Sequence, residues 1–386
     1  MKREHRSNLD DAFGFGLDWQ IKDDYEGTAE ETAFEIVRAG VSCHLDGAPG
    51  TGKTYLGNKV INELKKQGKR YMAFSPTNKG ARLIGGQTIH SLFYKYQTNK
   101  GIFKSMLKNL DYIFIDEVSM MCERFYQLFV MAKRLFPTLK FIIIGDYRQL
   151  LPVKDSWSGD YKNSPAMFSL CDGFRIQLTK CRRSDREVFD LYDKVNTLDI
   201  SKFPQLEKTY LNLAYTHKTR IQVNKECMER YLSEFGGKRV CFQADRTNPK
   251  TQDVILTKGM PVIAHKTNKT LNILNSEKFN VKVIGKETVT VSDGDRDIEI
   301  KHKEFHKYLY LGFCTTVHAS QGETFRSKYT IYDWGCRPFC ERAKYVAISR
   351  ACCIGDIQIV KGWSYGMDKI DGEDNDEEID REGFVF

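Results

Sequence analysis

Four short, largely apolar, β-favouring runs each stop at a polar motif. They occupy residues 41–45, 71–74, 112–115 and 141–144, and they lead into Gly47, Ser75, Asp116 and Gly145. Continuous rather than alternating apolar runs predict strands covered on both faces, as in a parallel sheet with helices between its strands. In such sheets ligands gather beyond the carboxyl ends of the strands, which is where all four polar motifs fall. Runs at 211–215, 346–349 and 357–360 predict strands of a second α/β domain. Between them the texture changes: residues 279–284, 287–292 and 297–301 alternate apolar and polar positions around turns at Gly285 and Asp293-Gly294. That period predicts a small antiparallel β-insertion over 259–312. Residues 1–25 carry no clear period, and no internal repeat is found.

The first polar motif is Gly47-Ala48-Pro49-Gly50-Thr51-Gly52-Lys53-Thr54, set between a predicted strand and a segment that can continue as a helix. Strand, glycine-rich loop and helix in that order make a phosphate-binding P-loop. Glycine lets backbone N–H groups turn inward around phosphate oxygens, and the helix N-terminus adds partial positive charge. Lys53 has the reach to meet β- and γ-phosphates, and the Thr54 hydroxyl suits Mg²⁺. Asp116-Glu117 follows the third strand. An aspartate there can hold Mg²⁺, and the next glutamate can deprotonate an attacking water. Gln149, just past the fourth strand, is a candidate to bond the γ-phosphate or that water. Arg183 and Arg350 are candidates for transition-state charge stabilisation, with Arg182 a weaker competitor, because a guanidinium donates bidentately and keeps its charge.

At 386 residues the chain is long enough for two or three domains. No apolar run is long enough to span a membrane, and no apolar segment follows Met1-Lys2-Arg3-Glu4-His5-Arg6, so an intracellular protein, nuclear or cytoplasmic, is expected rather than a secreted one. The 11 cysteines include no CxxC pair, which favours free thiols over a disulfide framework or a zinc site. Net charge is +8, but residues 366–386 hold nine acidic and two basic residues, so the rest of the chain carries +15. A basic body suits a polyanionic partner. The acidic tail, ending Gly383-Phe384-Val385-Phe386, is expected to be disordered and to solubilise the chain, to dock a protein partner or to compete with nucleic acid for the basic groove.

Taken in order, the motifs resemble those of a superfamily 1 helicase of the RecD-like, Pif-type 5′→3′ branch. Beyond the P-loop, the matching segments are Ser75-Pro76-Thr77-Asn78-Lys79-Gly80-Ala81, Thr88-Ile89-His90-Ser91-Leu92-Phe93, Ile115-Asp116-Glu117-Val118-Ser119-Met120 and Gly145-Asp146-Tyr147-Arg148-Gln149-Leu150-Leu151-Pro152. Arg183, Thr316-Val317-His318-Ala319-Ser320-Gln321-Gly322-Glu323-Thr324 and residues 345–351 complete the series, from about residue 28 to 360.

The resemblance implies an α/β chain of two RecA-like P-loop domains, with parallel sheets covered by helices on both faces and a small β-barrel inserted in the second. The implied boundaries are an N-terminal extension at 1–27, domain 1 at 28–165 with a short wedge at 91–108, domain 2 at 166–258 and 313–365, the barrel at 259–312 and the tail at 366–386. It implies ATP with Mg²⁺, the arginines Arg183 and Arg350 linking nucleotide binding to domain closure, and Gly322 and Glu323 at the nucleotide, with Glu323 near its sugar. Pro76, Thr77, Asn78, Thr88, His90, His318 and Ser320 would contact single-stranded DNA, and duplex junctions would be the substrate of a monomeric enzyme acting in replication, recombination or repair. In the wedge, Phe93, Tyr94, Tyr96 and Phe103 lie among lysines. These rings either stack on bases or pack beneath a loop. The chain departs from the family at the adenine-reading glutamine, where Ala29-Glu30-Glu31-Thr32 stands, and in the insertion, where Asn275-Ser276 replaces Asn-Gly. It resembles a minimal core of the kind some viruses encode. A viral-type RNA helicase, or an ATP-gated single-strand clamp that does not unwind, is the alternative function.

Overall fold

A computed structural model of the chain describes residues 17–360, except 153–154, 156–158, 204–206, 246, 249 and 269. The acidic tail and the first 16 residues of the expected N-terminal extension lie outside the described residues. The chain divides into two compact units, 1–184 and 185–386.

The first unit is built on a seven-stranded sheet. Its strands in chain order are β1 (Gln20–Asp23), β2 (Cys43–Gly47), β3 (Tyr71–Ser75), β4 (Gln87–Thr88), β5 (Tyr112–Ile115), β6 (Lys140–Ile144) and β7 (Phe174–Leu178), arranged β1-β7-β2-β6-β5-β3-β4. Every ladder is parallel. The four predicted strands are β2, β3, β5 and β6, and their apolar runs are largely buried because helices cover the sheet. Among the described residues its α-helices are α1 (Ala29–Ala39), α2 (Lys53–Lys66), α3 (Asn78–Leu83), α4 (Ile89–Thr98), α5 (Lys100–Lys108), α6 (Glu123–Leu135) and α7 (Pro165–Leu170). α1 starts at a Thr28–Glu31 capping box and stops at left-handed Gly40. α2 approaches the sheet through Gly57, where a Cβ would lie 2.3 Å from Ile144 Cδ1 and 2.8 Å from Phe114 Cζ.

The second unit holds α8 (Arg186–Leu191), β8 (Asn212–Ala214), α9 (His217–Glu234), β9 (Arg239–Phe242), β10 (Val254–Thr257), β11 (Pro261–Ala264), β12 (Lys278–Ile284), β13 (Thr288–Ser292), β14 (Asp297–Lys301), α10 (Phe305–Tyr308), β15 (Leu309–Leu311), β16 (Cys314–Thr316), β17 (Tyr329–Ile331), α11 (Glu341–Ile348) and β18 (Ile357–Ile359). A parallel sheet runs β16-β8-β17-β18. The insertion is an antiparallel sheet ordered β14-β13-β12-β11-β15, and β9 pairs with β10 beside it. Among the described residues no ladder joins the edge strands β14 and β15, so the insertion is an open sheet in this structure rather than the expected closed barrel. It shares one apolar core with α9 and β8, through Ala214, Val223, Met228, Phe279 and Leu311.

Three expectations are corrected. Residues 346–349 end the helix α11 instead of forming a strand. Glu341-Arg342-Ala343-Lys344 supplies good helix formers ahead of them, and a short apolar run reads alike in a buried helix or strand. The first unit does not end at 165, because β7 lies between β1 and β2 in the first sheet and the chain stays with that unit to Ser184. Residues 20–23 of the expected extension are themselves the edge strand β1.

Candidate nucleotide site and strand-facing residues

The loop between β2 and α2 is shaped by positive φ angles at Gly47 (149°), Gly50 (83°) and Gly52 (95°). These are conformations that side-chain-bearing residues rarely adopt. Thr51 Oγ1 donates to Ala48 O at 2.8 Å and closes the turn. Gly52 caps α2 without a side chain, which leaves the first N–H groups of the helix directed into the loop. Lys53 Nζ donates to Gly47 O at 2.6 Å and to Ala48 O at 3.0 Å. Burial lowers the Lys53 pKa, against the opposing pull of Asp146, Asp46 and Asp116.

Asp116 and Glu117 follow β5 as predicted. Asp116 is buried, and its Oδ1 accepts from Glu117 N at 2.9 Å. Burial pushes its carboxyl up to about 6, with that hydrogen bond and Lys53 acting in the other direction. Glu117 takes the left-handed conformation at φ 57° as the chain turns into Val118–Met120. Gly145 brings the next strand end close: a Cβ there would lie 2.7 Å from Val118 Cγ1. Asp146 is buried behind it, accepting from Arg148 N at 3.0 Å, and its carbonyl accepts from Gln149 N at 3.0 Å. The adjacent strands β2, β6 and β5 thus carry Lys53, Gln149, Asp116 and Glu117 at one edge.

Arg183 belongs to this first unit, which corrects the expectation that it arrives from the second. Arg182 N donates to Gly50 O at 2.7 Å, and a Cβ on Gly50 would lie 3.1 Å from Arg183 Cβ. Both arginines follow β7, which the sequence did not announce as a strand. Arg182 also stacks over Tyr25 at 5.0 Å. Asp46 and Asp146 were not singled out from the sequence, although each sits at a strand end beside a recognised motif. Asp46 Oδ1 accepts from Gly47 N at 2.8 Å, and its other oxygen pairs with Lys162 at 2.6 Å. In the segment where the resemblance implies an adenine-reading glutamine, Glu30 is ion-paired with Lys59.

Thr77 and Thr88 lie at the carboxyl ends of β3 and β4. Each caps the helix that follows, accepting from Gly80 N at 3.0 Å and from Ser91 N at 3.3 Å. Pro76, Asn78 and His90 flank them. His90 lies edge-on to Phe125 at 4.8 Å, and burial beside Arg124 pushes its pKa down to about 4. The expected wedge is the helix pair α4–α5. Phe103 is buried, Tyr96 packs on it at 5.1 Å and Phe93 packs on Phe125 at 5.5 Å. Tyr94 alone of the four rings is exposed, at 67%, so packing is the main role of the other three.

In the second unit His318 is half-buried beyond the end of β16. Ser320 is fully buried, and its hydroxyl donates to Val317 O at 2.8 Å, which turns that side chain inward. Gly322 has φ 76°. Glu323 is paired with Lys278 of β12 at 2.5 Å. Arg350 is buried and braces this turn. Its Nη1 donates to Ser320 O at 3.2 Å and Glu323 O at 2.9 Å, its Nε to Val346 O at 2.9 Å and its Nη2 to Ser349 Oγ at 2.8 Å.

A P-loop with an acidic pair and a polar sensor at neighbouring ends of a parallel sheet defines a P-loop nucleotide hydrolase. The AAA domain family matches residues 30–155. The ATP-dependent DNA helicase Pif1 of Bdellovibrio bacteriovorus is 22% identical over 87% of each chain. The corresponding Campylobacter jejuni protein is 24% identical over 66% of this chain and 63% of its own. The crystal structure of Bacteroides Pif1 bound to ssDNA superposes with a TM-score of 0.62, at 20% identity, over 86% of this chain and 91% of that one. Over most of its length the chain is thus similar to Pif1 helicases in sequence, and it shares their fold. Among the described residues no helix is long and apolar enough to cross a membrane.

Proposed function

We propose that this chain is an ATP-dependent DNA helicase that translocates 5′→3′ on single-stranded DNA and separates duplexes, in replication, recombination or repair. The observation that carries it is Lys53, Asp116, Glu117 and Gln149 at adjoining strand ends, within a chain similar to Pif1 helicases over most of its length. In this proposal the P-loop N–H groups and Lys53 bind the phosphates of ATP, Glu117 takes a proton from the attacking water and Gln149 orients it. Arg183, beside Gly50, stabilises charge on the transferring phosphoryl group. Thr54 and Asp116 suit Mg²⁺, since a buried carboxyl raised to about 6 gains from a cation at its oxygens. When bound, Mg²⁺ would neutralise charge on the phosphate oxygens.

Thr77, Asn78, Thr88 and His90 in one unit and His318 in the other meet the strand. Alternation of their grip through the hydrolysis cycle produces each step. We further propose a monomer acting inside the cell, at single-stranded DNA and duplex junctions. The test is strand separation on DNA with a 5′ overhang, a 3′ overhang or blunt ends, with ATP turnover measured alongside and Lys53→Ala as control. Unwinding of the 5′-overhang substrate alone supports the proposal. Turnover without unwinding of any of the three would replace it with an RNA substrate or an ATP-gated clamp.

A further inference from the structure

At the carboxyl edge of the second sheet, the adjacent strands β16, β8 and β17 release three aromatic groups. Tyr215 follows β8 directly, His318 lies two residues beyond β16 and Trp334 three beyond β17. The Tyr215 ring is stacked on Phe339, with centroids 5.0 Å apart and planes 20° apart. Phe339 in turn meets Trp334 edge-on at 5.7 Å. His318 stands beside Tyr215 at 5.9 Å. Phe339 and Trp334 are buried, whereas Tyr215 and His318 are half-buried. The inner pair therefore backs an outer pair that still meets solvent.

The backbone beneath this outer pair is clamped. Asp333, buried and left-handed at φ 63°, accepts from Tyr215 N and Thr216 N at 3.0 Å each and from Thr219 Oγ1 at 2.7 Å. A ring fixed from behind and below loses little freedom when a planar partner lands on it. Every nucleobase offers such a plane, so stacking there tolerates any sequence.

We infer that Tyr215, flanked by His318, is a stacking shelf for one base of a bound single strand. The inference rests on the proposed function, and Tyr215 adds a residue that none of the sequence motifs contained. Neighbouring phosphates would be held elsewhere, so the shelf supplies grip that is insensitive to salt, beside contacts that are salt-sensitive.

The first experiment uses the unchanged chain. A single strand carrying 5-iododeoxyuridine is bound and irradiated, and the adduct is mapped by mass spectrometry. An adduct on Tyr215 or His318 is expected, and adducts confined to other residues would overturn the shelf. The second compares single-strand affinity of Tyr215→Ala and Tyr215→Phe. The alanine variant should bind about 5- to 100-fold more weakly, and the phenylalanine variant within about twofold of the unchanged chain. Equal affinity for all three overturns the shelf while leaving the helicase proposal intact. Failure of the unchanged chain to bind any single strand would remove both.

Discussion

Lys53 shows how much of this site a single residue position carries. Its ammonium reaches back over the loop to Gly47 O and Ala48 O because the glycines bend the backbone around it. Loop, lysine and acidic pair were all legible in the sequence, since each is a local pattern with a fixed spacing. Glu117→Gln should bind ATP with near-normal affinity but hydrolyse it about 10²- to 10⁴-fold more slowly. Nucleotide binding by calorimetry beside single-turnover hydrolysis checks this, and normal turnover would mean that another group is the base. His44 was silent in the sequence. It lies buried in β2, its Nδ1 accepts from Arg175 Nε at 3.0 Å, and burial, opposed by Asp46 and aided by Arg175, leaves its pKa at about 3 instead of 6.5. Between those values the unfolded chain holds a proton that the folded chain refuses. Stability is therefore full above pH 6.5 and falls as pH drops, by up to ~1.4 kcal/mol per pH unit. His44→Asn, which keeps an acceptor for Arg175, should flatten the acid side of a melting-temperature profile between pH 7.5 and 4.5.

The elements divide into those with strong local signals and those that depend on a neighbour. β5 was predicted to the residue, because residues 112–115 are an apolar run with no competing period. β1 and β7 were missed: Gln20-Ile21-Lys22-Asp23 is exposed along its length, and Arg175 and Gln177 interrupt the second. Only pairing with β2 makes β7 a strand, and only β7 makes β1 one. The same dependence explains α11, whose last turn is apolar because it is buried on all sides. Just beyond that turn and its cap Ser349 lies Arg350, a candidate for transition-state charge stabilisation. With four of its hydrogen bonds made to Ser320, Glu323, Val346 and Ser349, it also holds the turn that carries His318. Arg350→Ala should lower the stability of the second unit by at least about 2 kcal/mol, besides slowing hydrolysis, because buried carbonyls lose their donor. A loss of hydrolysis with an unchanged melting temperature would confine Arg350 to phosphate chemistry.

For the whole molecule, charge is the property that acts at longest range. The chain without residues 366–386 carries +15, against +8 with them. Single-strand affinity should fall steeply with salt, as counterions released from phosphates are returned. We expect the chain lacking 366–386 to bind DNA more tightly at low ionic strength and to converge on the full chain near 1 M salt, where the Debye length is about 3 Å. Fluorescence anisotropy across a salt series measures this, and superimposable curves would show that the tail does not compete with nucleic acid.

The P-loop, the acidic pair, Gln149 and the existence of two α/β units were decided by sequence alone. Each depends on residues adjacent in the chain and on backbone conformations that few residue types permit. Which unit Arg183 serves, the inward turn of Ser320, the brace made by Arg350 and the stacking of Tyr215 on Phe339 were decided by tertiary structure. These depend on which strand lies beside which, and strand order is set by packing between segments more than a hundred residues apart. No local pattern encodes it.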